Sequence, residues 1–215
     1  DGRRTHISVS PVGVNLSYIE ERAQADETRL KASEIRKDIG ETKLLLSVGR
    51  TDYTKGGIEQ LLSFERLLER RPELKEKIRL MHVSVSANRN MTAYEQIQTE
   101  IEQVAGRING RFGTLEWQPV ALISRAIPFV ELVAYYQAAD VAWITPLADG
   151  MNLVCKEFVA SRTDGDGVLV LSEFAGAAVE LSDAVIANPF SNRSMDRAIE
   201  EAIDMPEEER KRRMQ

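Results

Sequence analysis

The chain has 215 residues, 43% of them hydrophobic and 29% charged, with a formal net charge of −6. That composition suits one α/β domain with a real core, and the acidic balance excludes the basic footprint of a nucleic-acid binder. One cysteine, Cys155, leaves no internal disulfide framework, and no run reaches the roughly 18 apolar residues of a membrane span. A cytoplasmic protein with no nucleic-acid partner is expected. The chain opens on Asp1 without a Met or the apolar region of a signal peptide. It is expected to be part of a longer protein.

In chain order, apolar runs predict strands at 7–9, 43–48, 78–85, 114–117, 141–145, 168–171 and 184–187. Between them lie helical patterns. Residues 20–39 carry an apolar stripe on a charged helix. Residues 58–70 place Ile58, Leu61, Leu62, Phe64, Leu67 and Leu68 close to a helical period. Residues 92–108 repeat apolar side chains at steps of three and four. Pro128 opens a helix over 129–138, and helices at 152–161 and 193–203 follow. Pro206 opens a last helix, with acids in its first turn and Lys211, Arg212 and Arg213 late, as the helix dipole favours. Strands alternating with helices predict a Rossmann-like α/β fold, residues 1–215 forming one domain with a parallel sheet and helices on both faces.

Two segments carry chemistry. Residues 49–57 follow a buried-looking strand and precede a helix. Arg50 and Lys55 flank a turn there, so both can reach one phosphate, the first as a planar fork and the second as a point charge. Gly56 and Gly57 permit close backbone approach at a helix N-terminus, which favours anions. Neither the Walker spacing nor the dinucleotide fingerprint is present. Residues 149–157 form a second strand-end turn into a helix. Asp149 and Glu157 are acceptors suited to sugar and ribose hydroxyls, and Asn152 is placed to cap the helix. Both carboxylates also have a plain reading, as cap and surface residue, and a glycosidase-like pair is conceivable. A third strand-end turn at 172–178 is rich in small residues and equally consistent with tight packing.

The remaining candidates read as structural. His6 and His82 lie on strand patterns with no metal-type spacing. Cys155 has no evident base beside it. The 163–167 turn lacks the spacing of a calcium loop. No metal site is expected.

Together these segments resemble the retaining glycosyltransferases of the trehalose-6-phosphate synthase type. The likeness runs through 46–56, 105–113, 125–136, 149–154 and 168–178, nearly the whole chain. It implies the C-terminal, donor-binding half of a GT-B fold, in which two Rossmann-like halves face a cleft. By the resemblance, Arg50 and Lys55 hold the donor diphosphate. Asp149 and the backbone of Gly150, Met151, Asn152, Leu153 and Val154 hold the transferred glucose. Glu157 takes the ribose, and Ile127 and Leu132 lie by the base. The nucleotide sugar is a substrate, and neither a cofactor nor a divalent ion is implied.

Val48-Gly49-Arg50-Thr51, the 86–91 segment and Trp143 depart from the usual trehalose pattern and resemble the glucosylglycerol-phosphate-forming branch. That branch implies ADP-glucose as donor and glycerol 3-phosphate as acceptor, the acceptor site lying mostly in the missing half. The alternatives are the trehalose branch, with UDP-glucose and glucose 6-phosphate, and a nucleotide-sugar-binding module without catalysis. A generic interaction domain, using the charged helix at 20–37, also stays open.

Overall fold

The computed structural model describes residues 2, 4–6, 8, 10, 12–85 and 92–215, the last stretch without the side chains of 92 and 93. Residues 7 and 9 of the strand expected at 7–9, and the 86–91 segment, lie outside the described residues. Among the described residues, six strands form one parallel sheet: β1 (Lys43–Arg50), β2 (Ile78–Val85), β3 (Val120–Ile123), β4 (Val141–Ile144), β5 (Val168–Ser172) and β6 (Val185–Ala187). Their order is β3-β2-β1-β4-β5-β6, the doubly wound arrangement in which the chain reverses direction between β1 and β4.

The strands are nearly continuous apolar runs because both faces are covered. One face packs α3 (Gly57–Arg70), α4 (Thr92–Phe112) and α7 (Asn192–Asp204) over Leu45, Leu80, Val120, Trp143 and Val170. The other packs α2 (Asp26–Ile39), α5 (Phe129–Ala138) and α6 (Leu153–Ser161) over Leu44, Leu46, Met81, Ile144 and Leu171. Alternate residues of β1 therefore feed different cores, as the strand period of two demands. The predicted sheet with helices on both faces is what forms.

Two expected elements differ. Residues 20–39 are not one helix: α1 (Leu16–Gln24) ends at Ala25, whose backbone is extended (φ −62°, ψ 137°), and α2 begins at Asp26. Residues 114–117 are a turn, closed by Thr114 N–H donating to the Trp117 carbonyl at 2.9 Å. Trp117 is apolar there because it is an anchor, buried with its indole N–H on the Ile78 carbonyl at 2.9 Å. The strand starts after Pro119, where Asn109 bonds both backbone groups of Val120. The C-terminal helix α8 (Glu207–Arg213) is tied down by Arg210 on Asp166 at 2.7 Å, which also accounts for the acidic turn at 163–167. Arg210 holds the Asp166 carboxyl down at about 2, although partial burial opposes it. Among the described residues, no helix is long and apolar enough to cross a membrane.

Candidate functional site

The β1–β4 ladder stops at Leu46↔Ala142, whereas β1–β2 pairing continues to Arg50↔Val85. Beyond Leu46 the carboxyl ends of β1 and β4 therefore separate, and a crevice opens at the point where the strand order reverses. Arg50, Lys55, Gly57, Gln60, His82, Thr145 and Asn152 are among its lining residues. Ligands of open α/β sheets bind at such points.

The first wall is the turn between β1 and α3. Asp52 caps it, its Oδ1 accepting from Thr54 N–H at 2.8 Å, and Gly56 turns it with φ +69°. A side chain at Gly56 is excluded on two counts: the backbone is left-handed, and a Cβ would overlap the Thr145 carbonyl oxygen. The Thr54 carbonyl accepts from Leu147 N–H at 2.7 Å, clasping this turn to the one after β4.

The second wall runs from Thr145 into α6. Asn152 sits at φ +72°, a conformation costing a non-glycine residue about 1–3 kcal/mol and found at ligand clamps. It is held there from two sides: its Oδ1 accepts Cys155 N–H at 3.0 Å and its Nδ2 donates to Asp149 Oδ2 at 3.1 Å. The 172–178 turn braces the same loop. Asp149 N–H donates to the Phe174 carbonyl at 3.1 Å, Gly176 N–H to the Asp149 carbonyl at 2.9 Å, and Ala177 N–H to the Met151 carbonyl at 2.8 Å. Gly176 has no room for a Cβ against the Gly150 carbonyl.

The two oppositely charged segments read from the sequence, 49–57 and 149–157, meet at one crevice. Lys55 Nζ stands 2.8 Å from Asp149 Oδ2. Burial alone raises the Asp149 pKa, but bonds from Lys55, the Met151 amide and Asn152 outweigh it and hold the carboxyl below its usual range. Arg50 is exposed at the end of β1, on the same crevice. Gly150 and Met151 are exposed on the loop, and Leu153 and Val154 are half-buried in the first turn of α6.

Glu157 lies one helical turn after Leu153 and accepts from Tyr136 Oη at 3.1 Å. Burial raises its pKa, and the Tyr136 bond works the other way. Ile127 and Leu132 pack half-buried against the core that holds Tyr136 and Val154, Leu132 one turn before Tyr136 on α5. These three residues thus belong to the α5–α6 side, beyond the crevice proper. Cys155 is buried and bonded to the Asn152 carbonyl. Burial pushes its thiol up to about 12, so it is no nucleophile.

A polar layer beneath α3 escaped the motif reading. Ser47, Thr51, Gln60, His82, Ser84 and Thr145 are all buried. Gln60 accepts from Ser47 Oγ at 2.6 Å and donates to the Trp143 carbonyl at 2.9 Å and Thr145 Oγ1 at 3.0 Å. The signal was present in the sequence as polar residues at inward positions of apolar elements: Ser47 in β1, His82 and Ser84 in β2, Gln60 four residues before Phe64 in α3.

The whole chain, residues 1–215, matches the profile of glycosyltransferase family 20. It is 48% identical to the glucosylglycerol-phosphate synthase of Picosynechococcus sp. over 97% of its own length and 42% of the relative's. Its fold is similar to a crystal structure of an alpha,alpha-trehalose-phosphate synthase (UDP-forming) from Burkholderia xenovorans in complex with glucose-6-phosphate, with TM-score 0.90 and 40% identity, covering 95% of this chain and 45% of that one. An E. coli structure described as trehalose-6-phosphate bound with UDP-2-fluoro glucose superposes with TM-score 0.89 at 36% identity, covering 94% and 45%. The chain thus spans under half the length of the relatives it matches. On the full-length family match, the identity to the synthase and the shared fold, this chain belongs to glycosyltransferase family 20.

Proposed function

We propose that this chain provides the donor site of a retaining glucosyltransferase that moves glucose from ADP-glucose to glycerol 3-phosphate. The observation that carries the donor reading is the direct meeting of Lys55 and Asp149, at 2.8 Å, across a crevice flanked by the N-termini of α3 and α6. One side offers cations and helix N–H groups to a diphosphate; the other offers a carboxylate and backbone groups to sugar hydroxyls. Glu157 accepts from the ribose, and Ile127 and Leu132 flank the base. The finer choice of ADP-glucose and glycerol 3-phosphate is supported by the higher identity to the glucosylglycerol-phosphate synthase than to the trehalose-phosphate synthase structures.

In the proposed reaction the bond from the anomeric carbon to the diphosphate oxygen breaks, and a bond to an acceptor hydroxyl forms on the same face. The hydroxyl proton passes to the departing diphosphate. Arg50, Lys55 and the first N–H groups of α3 meet the charge that develops on the leaving group, and these fixed charges do the work without a divalent ion. Lys55 must exchange part of its contact with Asp149 for phosphate, while Met151 N–H and Asn152 keep Asp149 oriented for the sugar.

The test is a calorimetric titration of the chain with ADP-glucose, UDP-glucose, ADP and UDP, followed by transfer assays on the full-length enzyme. Binding of the adenine ligands alone supports the proposal. Preference for UDP-glucose transfers the reading to the trehalose branch, which a glucose-6-phosphate-bound neighbour structure favours. Arg50→Ala and Lys55→Ala should each lower kcat/KM by ~10²-fold or more, the scale of losing one electrostatic stabiliser. Near wild-type rates in both remove the phosphate assignment.

A further inference from the structure

We propose that Gln60 is a positioning residue: a strut that fixes the spacing between the phosphate side and the sugar side of the donor site. The inference rests on the donor reading above for its purpose, and on backbone topology for its geometry. Where β1 and β4 remain paired, ladder bonds hold them together. Past Leu46↔Ala142 those bonds end, yet both strands continue, β1 to Arg50 and β4 to Ile144. The loops bearing Lys55 and Asp149 spring from these ends, which stay paired to β2 and β5 but not to each other.

Gln60 spans the gap at its root. Its carboxamide takes the Ser47 hydroxyl on the β1 side, and both its N–H bonds go to the β4 side, one to the Trp143 carbonyl and one to Thr145 Oγ1. The Trp143 carbonyl can only accept, so it fixes which end of the amide is nitrogen. Ser47, Gln60 and Thr145 are all buried, so the three bonds are shielded from water, where such bonds are worth most. The strut stands on the first full turn of α3, beside Gly57, and its anchor is therefore the rigid helix whose N-terminus faces the crevice. Further ties between the walls, the Thr54 carbonyl to Leu147 and Ala148 and Lys55 to Asp149, lie further out at the loops, and a ligand can displace the last. Binding both ends of a nucleotide sugar requires the two walls at one separation, and the structure assigns that constraint to Gln60.

The experiment compares the wild-type chain, Gln60→Leu, and the triple variant Gln60→Leu/Ser47→Ala/Thr145→Val. Amide hydrogen exchange is followed without ligand, melting temperature is recorded, and ADP and ADP-glucose are titrated. Gln60→Leu leaves buried polar groups orphaned, so its melting temperature falls whatever its role. The triple variant removes the two orphaned hydroxyls and recovers most of that loss. A strut predicts that the triple variant still exchanges about ten-fold faster over 147–152 while β5 and α7 are unchanged, and still binds ADP-glucose about ten-fold more weakly, one net hydrogen bond's worth. If the triple variant regains wild-type exchange and affinity along with its melting temperature, Gln60 is only a satisfied core amide and the proposal is overturned. If the wild-type chain binds no nucleotide sugar, the donor reading falls instead. The strut then stands with faster exchange over 147–152 and falls with unchanged exchange.

Discussion

Gly56 carries two constraints at once. Its left-handed backbone turns the chain from β1 into α3, and its missing side chain lets the Thr145 carbonyl sit where a Cβ would be. A Gly56→Ala substitution should therefore destabilise the chain by about 1–3 kcal/mol, the strain of an unfavourable backbone region, with the steric overlap adding to it. Urea denaturation measures this. Gly106→Ala is the control, since Gly106 lies inside α4 with open space around it, and there the change should be neutral or stabilising. An equal loss at both positions would show that Gly56 is not tightly held. The glycine was legible in the sequence as part of a ligand turn. Its opposing wall was not, because Thr145 is brought to it only by the parallel pairing of β1 with β4.

Element by element, α3 is the part on which the site depends most. It is locked to α7 by an ion-pair ladder: Arg66 to Asp196 at 2.8 Å, Arg70 to Asp196 at 2.6 Å and to Glu200 at 2.7 Å, and Arg71 to Asp204 at 2.7 Å. On its other flank, Glu65 takes Arg107 of α4 at 2.6 Å, and Glu69 takes Arg111. The Arg107 bond holds Glu65 below the usual carboxylate range in spite of burial. Asp196 is the hub, half-enclosed and also bonded by Ser63 Oγ at 2.8 Å. Asp196→Ala should cost about 1–3 kcal/mol, since it strips a partly buried carboxylate from two guanidinium groups and a hydroxyl. Thermal melts should show that loss shrinking with added salt as the wild-type pairs are screened. A wild-type melting temperature would mean that the Asp196 pairs contribute nothing. The apolar stripe of α3 could be read from its periodicity, but the pairing of its charged faces with α4 and α7 could not, because those partners are distant in sequence.

For the molecule as a whole, the sheet order decides where chemistry can sit and also makes stability depend on acid. His82 is buried in β2 beneath the first residue of α3, and its Nδ1 has no hydrogen-bond partner among the described residues. Burial depresses its pKa from 6.5 to about 4. Between those values the unfolded chain binds a proton that the folded chain refuses, so stability should fall as pH drops from 6.5 to 4, and the loss is complete once the folded form also protonates. Melting temperature across that range should slope less in His82→Gln than in the wild type. Identical slopes would show that His82 does not set this dependence. His82 was read as structural from its strand position, and its burial agrees; its place on the crevice wall came only with the fold.

The sequence alone determined the alternation of strands and helices, the two strand-end turns with their charged residues, and, through motif likeness, the family. These are local properties: side-chain period, turn chemistry and short runs of particular residues. It misled where an apolar residue served as an anchor, as Trp117 does, or where the backbone changed direction within a helical pattern, as at Ala25. Tertiary structure alone decided that the two charged turns meet at one crevice, that the 172–178 turn is a brace, and that Gln60 bridges strand ends far apart in sequence. The physical reason is that a parallel sheet pairs strands through long crossovers, so the distance between Lys55 and Asp149 is set by strand order, which neither segment encodes by itself.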